Sequence, residues 1–307
     1  MMISEQIQAA NQVQSANWRR CLRIGDLTLG FTAHGMDVHL DPDHQSFVVP
    51  SQNCEIEIDL EWVDSLLPAD GKKLFDSGAV WTLYEGADHY VFDFATPVLG
   101  PRPYKRLLID QHFTRGRVLF VRACFPDKTS IRALEYPLDE LIVTNRLARG
   151  RGVEVHGCGI TDDARSSFLF IGHSGAGKST TTRLWDSVSG ARILSDDRIV
   201  VRKREDRFFM YGTPWHGDAG FASPQEASIN QIFVLEHGER NEIVAMPQAA
   251  AAAEIFSRCF LPFHDPQALT ATLAYLDDLT RTVPCYKFRF LPNHSAVEKI
   301  LEFQRPR

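Results

Sequence analysis

The chain has 307 residues, 44% of them hydrophobic and 23% charged, which is the balance of a globular protein with an apolar core. Its net charge of −6 and its pI of about 6.0 disfavour nucleic acid or an acidic membrane as the main partner, because both attract a basic surface. No stretch approaches the roughly 18 apolar residues that a membrane span needs. The N-terminal residues also lack the basic start and apolar block of an export signal, so we expect a cytoplasmic protein.

Six cysteines are scattered through the chain, and no two have the C-x-x-C spacing of a zinc or redox site. Because cytosolic thiols are kept reduced, we expect free thiols, most of them in the core. The six are Cys21, Cys54, Cys124, Cys158, Cys259 and Cys285.

Residues 1–130 are predicted to form a smaller, mostly antiparallel β module. Short segments rich in β-branched and aromatic residues alternate with turn signals such as Asp70-Gly71 and Arg115-Gly116. Strands at this close spacing, with hairpin turns, are typical of a sandwich or a barrel-like module.

Residues 131–307 are predicted to form an α/β domain. A helix is expected within Tyr136–Gly152, because acidic residues occupy its first turn and arginines its last. Beyond it, segments with strand and helix patterns alternate to the end of the chain, which favours an α/β architecture.

The segment from Gly172 to Ser179 matches the phosphate-binding pattern G-x-x-x-x-G-K-[ST]. An apolar strand precedes it and a helix follows, so loop N–H groups and the helix N-terminus are expected to face phosphate. Lys178 is expected to reach the β and γ oxygens, and the Ser179 hydroxyl to bind Mg²⁺. The alternative is a glycine-rich turn that matches the pattern by chance. The Lys-Ser pair and the strand and helix on either side disfavour it, because such a turn would need neither. The predicted nucleotide contacts are Gly172, Ser174, Gly175, Ala176, Gly177, Lys178, Ser179 and Thr180.

Asp196 and Asp197 end the next predicted strand, 18 residues after Lys178. If this strand lies beside the loop strand in a parallel sheet, both carboxylates reach the phosphate loop at the carboxyl edge. One carboxylate could orient a metal ion, and the other could take a proton from an incoming hydroxyl. The alternative is that Asp197 pairs with Arg198 or caps a turn.

Two other segments supply candidate polar residues. His156 lies in a predicted strand 16 residues before the loop, and it faces the same pocket if the two strands are neighbours. Otherwise it is a structural histidine. The loop Tyr211–Asp218 carries His216 and Asp218, which are candidates to touch substrate or phosphate, unless the loop is only a turn buried under Trp215.

From Tyr136 to Phe290 the sequence resembles the catalytic domain of HPr kinase/phosphorylase and its relatives, which share a site layout with ATP-type phosphoenolpyruvate carboxykinase. A histidine before the loop strand, an S-G-x-G-K-S loop and an Asp-Asp pair one helix later carry the resemblance. The segments PLDELIVTNRLARGRG and VPCYKFRFLP also look like those of small HPr-kinase-like proteins found with peptide-modification gene clusters. The resemblance implies a P-loop kinase fold for residues 131–307.

The resemblance also implies a set of roles. Asp196 would be the general base, and Asp197 would hold Mg²⁺ together with Ser179. His156 would lie near the base and the metal, and Lys178 would neutralise charge on the transferring phosphoryl group. ATP and Mg²⁺ are the implied cofactors. The relatives are commonly hexameric, so a homo-oligomer is an open expectation.

Two departures separate this chain from HPr kinase. Thr180 stands where HPr kinase has Glu, and the arginine-bearing signature that engages the protein HPr is not evident. These departures put HPr in doubt as the acceptor. The β module does not match the N-terminal domain of the full-length bifunctional enzyme.

Two main hypotheses follow from these motifs. The first is a kinase that phosphorylates a hydroxyl, either a serine of a protein or peptide or a group on a small molecule. The second is a non-catalytic, nucleotide-gated module that binds a peptide or protein, with the β module recognising the partner. A carboxykinase-like enzyme is a weaker third hypothesis, because the extended metal and carboxylate apparatus is not visible. The chain also has no N-K-x-D motif of GTPases and no LSGGQ-like motif of transporter ATPases.

Overall fold

The structure is a computed structural model that describes residues 18–78, 80–125, 130–162 and 166–304. The chain divides into two compact units. The first contains the chain up to Cys21 together with Leu29–Asp41 and Val49–Glu135, and the second contains Leu22–Thr28, Pro42–Val48 and Tyr136–Arg307. The boundary at residues 130 and 131 stays a prediction from the sequence. Within the described ranges, no helix is both long and apolar enough to cross a bilayer.

A nine-stranded sheet holds most of the first unit, in the spatial order β4-β1-β2-β5-β10-β9-β8-β7-β6. Its strands are β1 (Trp18–Ile24), β2 (Leu27–Ala33), β4 (Val48–Val49), β5 (Ile56–Val63), β6 (Lys72–Asp76), β7 (Trp81–Glu85), β8 (His89–Thr96), β9 (Gly100–Asp110) and β10 (Arg115–Val121). The hairpins from β6 to β10 are antiparallel. In contrast, β5 pairs in parallel with both β2 and β10.

Three smaller features complete the first unit. β3 (Val38–His39) and β11 (Ile131–Arg132) form a separate parallel pair, and a 3-10 turn spans Arg122–Cys124. Cys21 and Cys54 form a disulfide. The prediction that all six cysteines are free thiols is therefore wrong for these two, because the fold brings two residues distant in sequence together.

The second unit is built on a mixed sheet of ten strands in the order β17-β16-β15-β12-β13-β18-β21-β19, with β14 and β20 also paired to β12. Its strands are β12 (Val153–Thr161), β13 (Ser167–Ile171), β14 (Arg192–Ser195), β15 (Arg198–Arg204), β16 (Arg207–Gly212), β17 (Glu226–Ser228), β18 (Gln231–His237), β19 (Glu242–Ala245), β20 (Cys259–Phe260) and β21 (Cys285–Phe290). Its helices are α1 (Pro42–Gln45), α2 (Leu138–Leu147), α3 (Lys178–Asp186), α4 (Gln248–Phe256), α5 (Pro266–Thr282) and α6 (Ser295–Gln304). The expected mixture of strands and helices is confirmed.

The central strand β13 is buried on both faces, as its apolar run Phe168–Ile171 predicts. Leu169 and Ile171 point to one apolar cluster, which α4 and α5 cover. Phe168 and Phe170 point to the other cluster, where Trp185 of α3 and residues of α6 pack. This two-sided packing anchors the strand that leads into the phosphate loop.

The sheet differs in one respect from the arrangement expected around the loop. The aspartate-bearing strand β14 was expected to lie beside β13 in a parallel sheet. Instead, β12 lies between them and pairs antiparallel with both. Because β13 and β14 then run in the same direction, their carboxyl ends still meet at one edge, and His156 of β12 lies between the two ends.

Candidate active site

The loop between β13 and α3 has the backbone that its glycines predict. Gly175 and Gly177 have φ angles of +80° and +101°, in the region that favours glycine. A Cβ on Gly177 would lie 2.5 Å from the ring of Phe290, so the loop passes directly over that side chain. The predicted entering strand and departing helix are both confirmed.

The ammonium group of Lys178 is held against its own loop. Nζ donates to the carbonyl oxygens of Gly172 at 3.0 Å and of His173 at 3.2 Å. Burial, together with the nearby guanidinium groups of Arg198 and Arg258, lowers the pKa of Lys178 to about 8. Both of these acceptors are neutral backbone carbonyls, which a phosphate oxygen could replace.

His237 supports the loop and was not identified from the sequence. It ends β18, the neighbour of β13, and its Nε2 donates to the carbonyl of Gly175 at 2.7 Å. Its ring also stacks on Phe290, with centroids 6.1 Å apart. The sequence signal was weak, because a histidine at a strand end has many roles, and only the parallel pairing of β13 and β18 brings it to the loop.

Asp197 and His156 form a hydrogen-bonded pair beside the loop. The imidazole Nε2 donates to Asp197 Oδ1 at 2.8 Å. Burial, and then the positive charge of Lys178, lower the pKa of His156 to about 4, so this ring is neutral near pH 7. Both side chains remain about one quarter exposed. The predicted proximity of His156 to the phosphate loop is therefore present in the fold.

Asp196 occupies a different environment from its neighbour. Its side chain is fully buried, and its two oxygens accept hydrogen bonds from the backbone N–H groups of Gly217 (3.0 Å), Ala219 (2.9 Å) and Phe221 (3.3 Å). A Cβ at Gly217 would lie 3.0 Å from Asp196 Oδ2, so glycine lets this loop lie close over the carboxylate. Asp196 thus holds the segment 217–221 and does not line the cleft described next.

A cleft of about 400 Å³ lies between the phosphate loop, Asp197 and the 217–221 segment. It is lined by His156, Ser174, Gly175, Gly177, Lys178, Ser179, Thr180, Asp197, Gly217, Asp218 and His237. Asp218 is exposed at its rim, whereas His216 turns away and contacts Asp43 at 3.1 Å. Trp215 is buried and donates to Asp139 at 2.9 Å, which anchors the base of this loop.

The predicted nucleotide contacts Gly172 and Ala176 do not line the cleft. Gly172 is buried at the end of β13, and a Cβ there would lie 2.6 Å from that of Ala176. Both residues therefore shape the turn of the loop.

A network of ionisable residues lies behind Asp197. Arg198 Nη1 contacts Asp197 Oδ2, and Arg198 Nε donates to Glu140 Oε1 at 2.8 Å. Glu154 is fully buried in the same network, and its Oε2 lies 2.7 Å from the hydroxyl of Thr144. Burial and the neighbouring Glu140 raise the pKa of Glu154 well above its ordinary value. The alternative pairing of Asp197 with Arg198 is thus present together with the His156 contact.

Within the described residues, no group of three or more His, Cys, Asp or Glu side chains forms a closed metal site. The cleft nevertheless offers the hydroxyl of Ser179 and the carboxylates of Asp197 and Asp218. Mg²⁺ prefers such hard oxygen donors, and it is commonly bound by one or two carboxylates together with phosphates and water. The residues present therefore fit a magnesium ion that arrives with a polyphosphate.

Comparisons with known proteins give limited information. No protein-family description and no curated protein sequence matches this chain. Among solved structures, the HPr(Ser) kinase/phosphatase from Coxiella burnetii aligns with 50% of this chain and 95% of its own, at 14% sequence identity and a TM-score of 0.31. This likeness is too weak to assign a function, which must come from the residues of the cleft.

Proposed function

We propose that this chain transfers a phosphoryl group from ATP, with Mg²⁺, to a hydroxyl acceptor. The acceptor would be a serine of a protein or peptide, or a small molecule. One observation carries the proposal, namely that the cleft unites a phosphate loop with the His156–Asp197 pair. A phosphate loop alone fits many nucleotide-binding proteins, whereas a carboxylate beside it can receive a proton from an attacking hydroxyl.

The proposal assigns the base role to Asp197. Asp196, the base implied by the family resemblance, accepts three N–H bonds and is fully buried. Asp197 lines the cleft and has two contacts, to His156 and Arg198, out of about four lone-pair positions. Its carboxylate can therefore accept the proton of an acceptor hydroxyl, while neutral His156 donates to it and fixes its orientation.

The phosphate groups would be held by the loop. Its N–H groups and the N-terminus of α3 provide positive potential, and Lys178 would exchange its carbonyl partners for phosphate oxygens. With Asp197 as the base, Ser179 and Asp218 are the remaining oxygen donors that would hold Mg²⁺, which neutralises charge on the phosphates when bound. Positioning and charge neutralisation are what phosphoryl transfer chiefly requires.

The test measures ADP release and phosphate incorporation with ATP and Mg²⁺, using serine-containing peptides, proteins and small hydroxyl compounds as acceptors. We expect a mass increase of one phosphate on an acceptor, and its loss in Asp197→Asn. Calorimetric titration of ADP with and without Mg²⁺ separates the two possible roles of Asp197. Retained metal-dependent binding in Asp197→Asn supports the base role, and its loss assigns Asp197 to the metal. Equal phosphorylation by parent and Asp197→Asn would refute the base role of Asp197, and the absence of any phosphorylated acceptor with the parent would refute phosphoryl transfer. The same assay with pyrophosphate or ADP identifies the donor.

A non-catalytic, nucleotide-gated binding module is the second candidate. The burial of Asp196 favours it, since the carboxylate implied to be the base has no open oxygen. In that case ATP would bind and control a partner, and no phosphorylated product would form. Nucleotide-dependent capture of a peptide without any mass shift would support this function over the first.

A further inference from the structure

Arg198 lies beside the cleft without lining it. It follows Asp197 at the start of β15, directly opposite His156 of β12 in the antiparallel register. Its side chain is mostly buried, with 16% exposure. Arg198 therefore cannot contact a bound phosphate from this position, but it can act through its neighbour.

The guanidinium group is fixed on several sides. Nε donates to Glu140 at 2.8 Å and lies 3.6 Å from Glu154 Oε1. The ring of Phe260 covers the group, with its centroid 4.1 Å from the guanidinium carbon. Because the guanidinium is planar and its donors have a fixed geometry, these contacts also fix the direction of Nη1. That nitrogen contacts Asp197 Oδ2.

Asp197 is consequently held at both oxygens. His156 binds Oδ1 at 2.8 Å, and Arg198 binds Oδ2. Two carboxyl groups and a guanidinium are costly to bury, and well-packed apolar residues often stabilise a fold as well or better. A contribution to stability is therefore a weak explanation for this network. The need to hold the Asp197 carboxylate in one orientation is a stronger explanation.

We propose that Arg198, anchored by Glu140 and Phe260, is a positioning residue that fixes the carboxylate of Asp197 for proton transfer. This inference rests on the proposed function. Glu140 and Phe260 belong to different elements, α2 and β20, so these contacts link the base to two parts of the second unit.

The experiment is a double-mutant cycle on ATP turnover. It compares ADP release with water as the acceptor in the parent, Arg198→Met, Asp197→Asn and the double variant. Arg202→Met is the matched control, because Arg202 lies on the same strand, is also 16% exposed, and bonds to the carbonyls of Arg151 and Gly25. Thermal unfolding of every variant checks the fold.

We expect Arg198→Met to lower kcat by about 10- to 100-fold, since small misplacements of a reacting group have effects of this size. The KM for ATP should change little, because the phosphate loop is untouched. In the Asp197→Asn background the same substitution should lower kcat no further, since the two residues act as one unit. Arg202→Met should leave kcat unchanged.

Contrary outcomes are distinct. Equal ADP release by the parent and Asp197→Asn overturns the base role of Asp197 and this inference together, and leaves phosphoryl transfer itself to be judged by the acceptor assay. If kcat falls in Asp197→Asn but not in Arg198→Met, the inference alone is overturned. It is also overturned if Arg198→Met lowers kcat in the Asp197→Asn background as much as it does in the parent. If Arg198→Met fails to fold, Arg198→Lys carries the test, because lysine keeps the charge and loses the fixed N–H geometry. Parent-like kcat in that variant also overturns the inference.

Discussion

Replacing Glu154 with Gln tests the charge state of the network behind the cleft. The Thr144 hydroxyl lies 2.7 Å from both the Glu140 carbonyl and Glu154 Oε2, but it has a single hydrogen. Both contacts are satisfied if Thr144 donates to the carbonyl and a protonated Glu154 donates to Thr144. Burial, followed by the charge of Glu140, raises the pKa of Glu154 well above 4.5 and supports the same protonation state.

The sign of the resulting pH dependence follows from linkage. Between pH 4.5 and the raised pKa, the folded chain keeps a proton that the unfolded chain has released. The contribution of Glu154 to the free energy of unfolding is therefore greatest below pH 4.5. It declines as the pH rises towards the raised pKa, by about 1.4 kcal/mol per pH unit for one proton. Glutamine stays neutral and can also donate to Thr144, so Glu154→Gln should remove this decline.

The measurement is urea unfolding of parent and variant at several values from about pH 5 to about pH 8, with extrapolation to water. We expect the stability of Glu154→Gln to rise relative to the parent as pH increases. Glu302→Gln, an exposed position on α6, is the control for the substitution itself and should leave the parent's pH profile unchanged. Parallel profiles for parent and Glu154→Gln would show that Glu154 is ionised in the folded chain and that the reasoning is wrong.

Three further substitutions test the loop and its surroundings. Gly177→Ala should destabilise the chain by at least about 2 kcal/mol, from backbone strain and from overlap of the new Cβ with Phe290. A Cβ at Gly175 would have open space, so Gly175→Ala should show the cost of backbone strain alone. Chemical unfolding compares the two variants, and an equal loss of stability in both would contradict the overlap with Phe290. Lys178→Ala should weaken ATP binding, measured by calorimetry, on the order of 10- to 100-fold, because a charge-assisted contact to phosphate is lost. An unchanged affinity for ATP would show that Lys178 does not bind the phosphates. Asp196→Asn should lower the free energy of unfolding by about 3 kcal/mol or more and expose the 217–221 segment to proteases, because an amide cannot accept all three N–H bonds. A variant with full stability but lost turnover would instead assign Asp196 a chemical role.

The strand, loop and helix around Gly172–Ser179 could be predicted from the sequence because their determinants are local. The spacing of Gly172, Gly177 and Lys178 dictates a turn between a strand and a helix, and the apolar run of β13 identifies the strand. The position of His156 was predictable for a related reason, since β12 and β13 are consecutive strands and consecutive strands commonly pair.

The strand pairing around the loop was not predictable in the same way. An alternation of strands and helices suggests parallel neighbours, but β12 pairs antiparallel with strands on both sides. The contact of His237 with Gly175 depends on a partner 62 residues away. Such contacts follow from the strand order, which local patterns do not encode.

The two aspartates illustrate the limit most clearly, because they are adjacent and chemically identical. Asp197 lines the cleft, whereas the side chain of Asp196 is fully buried beneath the 217–221 segment. Which of them faces the cleft depends on the 217–221 segment, whose N–H groups at alternate residues converge on Asp196. This segment also carries Asp218, which lines the cleft together with Ser179. Asp196 thus contributes to the proposed site by shaping one wall of the cleft, and Asp197 contributes the carboxylate that lines it.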